Sequence, residues 1–384
     1  MLWGGAAEAA VNGYQVTWLD SLAPNNWYVA TAINDQGLVA GAADIGGVTR
    51  AVVWDVGARA PRTIGGPTGI WVSDINNLGQ VVGSSGSASS SSSLRGVVIN
   101  AATGLVENVS GGAPQSINDA GQMAGIRIDA NGNQRAASWA SPSAAASKLD
   151  QGVTFSYASG INSSGQVAGT VQTGPESNEQ HAVIWQNGQM KDLSASSGGW
   201  NQVNGINDAG EVAGYRQDVD AQGNTIGYVH ATLWRNGSLV DLGQNMGRSD
   251  TNSFASAINE RKQIVGSAGA NDYNINVYVT HGILWDDEHP IDLNDFLSAS
   301  DVAAGWVIQS AQDINEQGVI LASAINQKTW VGDKYLLLKP VDTGYVKHEF
   351  RALAVPEPAT SVTMLLGLGA LAWVSRGRNR NKAA

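Results

Sequence analysis

The chain has 384 residues, of which 43% are hydrophobic and only 14% charged, and its net charge at pH 7 is −11. So acidic a chain lacks the Lys and Arg clusters that phosphate contacts need, which argues against nucleic acid as a partner. It has no Cys, which rules out disulfides, thiolate metal sites and a cysteine nucleophile but not export, because a large core folds without staples.

At the N-terminus, Met1 to Gly13 contains Ala6-Ala7-Glu8-Ala9-Ala10. This is similar to the small-residue tail of a signal peptide, without the basic start and apolar core of one. Residues 1–15 are read as a residual leader behind a misplaced start codon, or as a disordered end.

From there an Ile-Asn pair recurs seven times, at Ile33-Asn34, Ile75-Asn76, Ile117-Asn118, Ile161-Asn162, Ile206-Asn207, Ile258-Asn259 and Ile314-Asn315. The spacings run from 42 to 56 residues. Gly follows three residues after Asn in six copies, and Lys262 takes that place in the remaining one. Asn suits the start of a tight turn, and Gly suits the left-handed position of a bulged three-residue hairpin. Lys262 is expected to be strained there.

A second run follows each hairpin, as in Ala51-Val52-Val53-Trp54, Ala182-Val183-Ile184-Trp185 and Ala231-Thr232-Leu233-Trp234. These runs are apolar on both faces, as in strands sandwiched between two layers. A third segment comes next, clearest as Lys191-Asp192-Leu193, Val240-Asp241-Leu242 and Ile291-Asp292-Leu293. It is missing after Leu338, and Trp18-Leu19-Asp20-Ser21-Leu22 supplies a candidate at the other end of the chain. These counts predict an all-β, seven-bladed β-propeller over residues 16–340, closed by an N-terminal strand. An open solenoid and a pair of sandwiches are the alternatives.

Four residues before each Trp or its equivalent stands a basic side chain: Arg50, Arg95, Arg135, His181, His230, His281 and Lys334. One reading is a repeated contact within each blade, to a carbonyl, to the Asp of the third segment or to an aromatic ring. The other is a cationic ring that binds an anion such as an acidic sugar. Zinc on the three His is disfavoured, since equivalent positions in neighbouring blades are too far apart for one ion. Asp129–Asn133 and Asp218–Asn224 lack the Glu of a calcium loop and read as polar hairpins. The Ser-rich insertion 84–93 reads as a loop. No nucleophile elbow, metalloprotease motif or phosphate loop occurs, and no cofactor is expected.

The copies at His181-Ala182-Val183-Ile184-Trp185 and His230-Ala231-Thr232-Leu233-Trp234 resemble the repeat of the HAF family of bacterial extracellular proteins. That resemblance covers residues 16–340. It implies export and carries no catalytic residue.

After a tether at 341–354, Val355-Pro356-Glu357-Pro358 leads into an apolar run over 359–374, and Arg376, Arg378, Arg380 and Lys382 follow. Sixteen residues make a helix of about 24 Å, which spans a ~30 Å hydrocarbon core with help from snorkelling and thinning. The basic tail would stay cytoplasmic. Residues 355–384 are similar to a PEP-CTERM sorting signal. The resemblance implies an exosortase-type partner acting at Pro356, Glu357 and Pro358, anchorage in the inner membrane of a Gram-negative cell, and then release or transfer to the surface. The expected function is a non-enzymatic matrix or adhesion protein, with extracellular polysaccharide a candidate ligand. The alternative is a polysaccharide-acting enzyme whose carboxylates converge at one mouth of the propeller.

Overall fold

Each Asn-to-Gly hairpin joins an innermost strand to its neighbour, and repetition of that unit builds seven antiparallel four-stranded sheets. This computed structural model describes residues 13–341, except 23–26, 56, 87–93, 151, 173–178, 196–198, 221–223, 247–250, 273–276 and 330–333; for 245, 270–272 and 277–279 it describes the backbone only. The chain divides into a unit of residues 1–353 and a unit of residues 354–384, and every described residue belongs to the first. Residues 1–12 of the expected leader (1–15), most of the tether and the apolar run 359–374 lie outside the described residues.

Blade 1 runs outward from the axis as Tyr28–Ile33, Val39–Asp44, Thr49–Trp54 and Arg62–Gly65. Blades 2 to 6 repeat this order. Blade 7 has only three strands from the end of the chain, Trp306–Ile314, Ile320–Asn326 and Lys334–Pro340; its outermost strand is Tyr14–Trp18. The fold is therefore the expected all-β seven-bladed propeller, closed by an N-terminal strand.

The closing strand is displaced from the segment predicted for it. Tyr14 pairs with Pro340 and Trp18 with Leu336, so the strand ends where Trp18–Leu22 was expected to begin. Leu19 N–H bonds the Tyr335 carbonyl, just as Leu242 N–H bonds Ala231. Leu19, not Leu22, is thus the counterpart of Leu242. Burial explains the choice, since Leu19 is 1% exposed and Leu22 is 37% exposed. The propeller also takes in Tyr14 and Gln15, which had been assigned to the leader.

The apolar third strands are sandwiched because blades pack face to face. The buried side chains fall into seven clusters, one between each pair of neighbouring blades. Trp54, Trp139, Trp185, Trp234 and Trp285, all 1% exposed or less, each reach into the preceding blade. The cluster of Leu19, Trp54, Leu321 and Tyr335 seals blade 7 to blade 1.

The recurring Ile-Asn pair does more than turn the chain. All seven Asn are buried. In each, Oδ1 accepts the backbone N–H four residues on, as from Leu38 to Asn34 at 2.9 Å and from Glu211 to Asn207 at 2.9 Å. Each Nδ2 donates to the carbonyl of the next blade's Asn, from Asn34 to Asn76 at 3.1 Å around to Asn259 to Asn315 at 3.1 Å. Asn315 then donates to Asn34 at 3.0 Å and closes the circle. An Asn amide offers a donor and an acceptor at fixed separation, so one residue type serves the hairpin and the blade interface together.

Lys262 does adopt the left-handed conformation, at φ 62°. The interface around it has changed in step. In four blades the residue four after Asn is Gln (Gln80, Gln122, Gln166, Gln263), whose Oε1 accepts from the Asn Nδ2. In blade 5 it is Glu211, whose carboxylate accepts from Asn207 at 2.9 Å and pairs with Lys262 of blade 6 at 3.2 Å. The Glu211 side chain is only 6% exposed, so it needs that cation. Lys262→Gly relieves about 1 kcal/mol of backbone strain yet is expected to lower stability, because Glu211 is left buried and unpaired. Adding Glu211→Gln should restore the urea midpoint to wild type or above; a double variant as unstable as Lys262→Gly alone would refute the compensation.

Candidate functional site: the axial cavity and its acidic mouth

Every innermost strand carries a β-bulge two residues before its Ile. The extra residues are Thr31, Ser73, Gln115, Ser159, Asn204, Ser256 and Gln312, polar in all seven blades. A bulge re-aims a side chain without ending the sheet, and here it turns seven polar groups into one cavity on the axis. The bulge also pushes a carbonyl toward the second strand. A Cβ on Gly41, Gly83, Gly125, Gly169, Gly214 or Gly266 would come within 1.9–2.3 Å of that oxygen, so only Gly fits. Blade 7 has Ala322 there and takes a second bulge, between Ile308 and Ser310.

The cavity has a volume of about 230 Å³. Two carboxylates line it, Asp74 and Asp313. Asp74 accepts its own blade's Ile75 N–H at 2.7 Å and, across the interface, Ile117 N–H at 2.9 Å. Asp313 accepts Ile314 N–H at 2.8 Å and Ile33 N–H at 2.8 Å. Both lie deep in the molecule and are exposed only to the axial space. Burial pushes both carboxyls above the ordinary range. Asp74 reaches about 7, driven first by burial and then by the Asp313 charge.

Beside the Asn circle, the residues after the seven Asn make an acidic mouth. Asp35, Asp119, Asp208, Glu260 and Glu316 stand there with Asn77 and Ser163. Six of these seven positions pass a bond to the next blade, as from Asp208 N–H to Glu260 at 2.6 Å and Glu316 N–H to Asp35 at 2.8 Å. Burial raises the carboxyls of Glu260 and Glu316 against these stabilising N–H groups. Among the described residues no three His, Asp or Glu are placed to hold a metal ion.

The seven basic positions lie on the third strands, at or near the start in five blades and mid-strand for His230 and His281, and none lines the cavity. His181, His230 and His281 place Nδ1 at 2.6, 2.8 and 2.5 Å from Asp192, Asp241 and Asp292 of the same blade. The bond to Asp241 raises the His230 imidazole above its ordinary value despite its burial. His occurs in the three blades that have Asp opposite. Thr63, Asn108, Lys148 and Trp18 hold that place elsewhere. Arg135 bonds Asp129 at 3.0 Å and the Thr154 carbonyl, and Lys334 lies over the Trp306 ring at 5.3 Å. Arg50 is half-buried opposite Ala43, and Arg95 is exposed opposite Ser85. The sorting-signal residues Pro356, Glu357, Pro358, Arg376, Arg378 and Arg380 lie outside the described residues.

The cavity was missed at sequence level because its residues share no chemistry beyond polarity. Aligning the repeats on Ile would have exposed it, as the second residue before Ile is polar in every copy.

Comparison with known proteins adds fold and destination. The chain is similar to the β-propeller domain of the Trilobed protease from Pyrococcus furiosus (10% identity, TM-score 0.56, covering 84% of this chain and 99% of that one). It is also similar to the Pyrococcus horikoshii acylaminoacyl peptidase (10% identity, TM-score 0.52, covering 78% of this chain and 49% of that one). At such identity the likeness shows the propeller fold alone. No curated protein matches the sequence. Among the described residues no helix is long and apolar enough to cross a membrane. Residues 354–379 match the PEP-CTERM protein-sorting motif, which implies export and membrane-anchored processing by an exosortase.

Proposed function

We propose that the chain is a non-enzymatic binding protein of the cell surface or extracellular matrix of a Gram-negative bacterium, delivered there by its C-terminal signal. The observation that carries this reading is the sorting motif at 354–379 joined to a repeat scaffold. In this reading residues 341–354 are a tether and 359–374 an apolar anchor in the inner membrane. Exosortase recognises Pro356-Glu357-Pro358, and Arg376, Arg378 and Arg380 hold the tail in the cytoplasm. The resemblance of the repeats to the HAF family supports the same destination. The basic side chains act as blade-internal donors, which suits the His–Asp pairs.

Asp74 and Asp313 favour a second reading, an extracellular polysaccharide hydrolase, since acid catalysis uses carboxyls with raised affinity for protons. Two observations weigh against it. All four of their oxygens already accept backbone N–H groups. The cavity, at about 230 Å³, is smaller than the ~300–1,000 Å³ of ordinary ligand pockets. We assign both residues as pins between blades.

Deleting residues 355–384 should move the protein from the membrane fraction to the soluble periplasmic fraction and stop its surface display. Unchanged membrane association and display would contradict the sorting reading. The pin assignment makes a pH prediction. The Asp74 carboxyl binds its proton more tightly folded, near 7, than unfolded, near ~4. Its contribution is therefore fully present below about pH 4 and is lost as pH rises to about 7. The difference in melting temperature between wild type and Asp74→Asn should follow that curve, shifting across pH 4–7 and levelling above. A difference independent of pH would contradict it, and wild-type release of reducing ends from polysaccharide that Asp74→Asn abolishes would favour the hydrolase.

A further inference from the structure

The end of the propeller opposite the Asn circle carries aromatic side chains at the starts of several innermost strands. In blades 5 and 6, Trp200, Tyr215 and Phe254 pack on one another at 5.7 and 5.0 Å and are half-buried. In blades 1 and 2, Trp27 and Trp71 are different. Their rings meet edge to face at 5.9 Å and 75°, yet Trp27 is 47% exposed and Trp71 58% exposed. They are the only exposed tryptophans among the described residues. An edge-to-face contact uses one face of one ring and the rim of the other, which leaves an angled pair of indoles with much of their surface open across a blade interface.

The ground beside them is polar. The Trp27 backbone carbonyl accepts Asp44 N–H at 2.9 Å, and Asp44 pairs with Thr49 across the blade 1 sheet. The Thr49 carbonyl accepts Gly69 N–H at 3.0 Å, two residues before Trp71. These bonds run the backbone of Asp44 and Thr49 between Trp27 and the turn just before Trp71. Two exposed indoles flanked in the backbone by polar residues do not resemble a protein-docking patch, which offers a continuous apolar core. They suit a ligand that alternates apolar C–H faces with a hydroxyl rim, as a pyranose chain does. Charge narrows the class: at a net −11 the protein repels anionic polymers and anionic lipid surfaces.

We propose that Trp27 and Trp71 form a stacking platform for a neutral pyranose glycan. The proposal rests on the reading of the chain as an extracellular binding protein and names its ligand class and site. The test is affinity electrophoresis of the full chain, kept soluble in mild detergent, in gels holding laminarin, hydroxyethylcellulose or galactomannan, with alginate as the anionic control. At least one neutral glycan should retard the wild type, and Trp27→Ala and Trp71→Ala should each weaken retention by about tenfold, as loss of an aromatic stack of ~1.4 kcal/mol does. Trp71→Tyr, which keeps a ring, should retain part of the binding, and melting curves should match wild type because both side chains are exposed. The proposal is overturned if none of the three neutral glycans retards the wild type, or if retention survives both Ala variants. It is overturned equally if only alginate retards the protein. Each of those results leaves the localisation experiment untouched, so failure of the platform and failure of the sorting reading are separable.

Discussion

The circle of seven Asn side chains is the constraint on which the rest of this structure depends. Each amide uses its acceptor inside its own hairpin and a donor on the next blade, so one side chain ties the hairpin to the blade interface. The bonds are buried and hence expensive to leave unmade. They also fix the distance between blades at the axis. Seven apolar clusters then fill the widening gaps outward, and the strand Tyr14–Trp18 covers the one open edge.

This geometry explains where side chains are free to vary. The position two before each Ile is thrown toward the axis by a bulge and needs only to be polar. The position facing the bulge carbonyl must be Gly, unless a second bulge intervenes as in blade 7. Asp74 and Asp313 use a small-residue position to add two further cross-blade bonds, and the cost is a pair of carboxyls that hold protons unusually well. The same logic appears where Lys262 replaces Gly and Glu211 replaces Gln. A change at one blade is answered in its neighbour, because the interface is the unit that must stay satisfied.

Much of the fold was legible in the sequence because repetition averages out local ambiguity. Ile-Asn spacing, two-faced apolar runs and the count of outer segments lead to seven closed blades. The closing strand was placed a few residues late because a Leu-Asp-x-Leu run offers two candidate anchors, and only packing distinguishes the buried Leu19 from the exposed Leu22. The His–Asp contact was foreseeable from their offset within one blade. The Asn circle and the axial bulges were not, since both depend on contacts between repeats that no single repeat contains. Exposure of Trp27 and Trp71 was likewise invisible, for thirteen Trp look alike until burial separates them.

An exported protein gains from such a scaffold, because a closed ring presents its loops rigidly with no free sheet edge. That rigidity is the central claim, and hydrogen exchange on an Asn315→Leu variant tests it most directly. Asn315 donates the Asn-circle bond between the last blade and the first, and its loss leaves buried groups unsatisfied at about 1–3 kcal/mol each. If the Asn circle is cooperative, amide protection should fall in the hairpins of all seven blades. Loss confined to blades 7 and 1 would contradict the account and make each blade an independent unit.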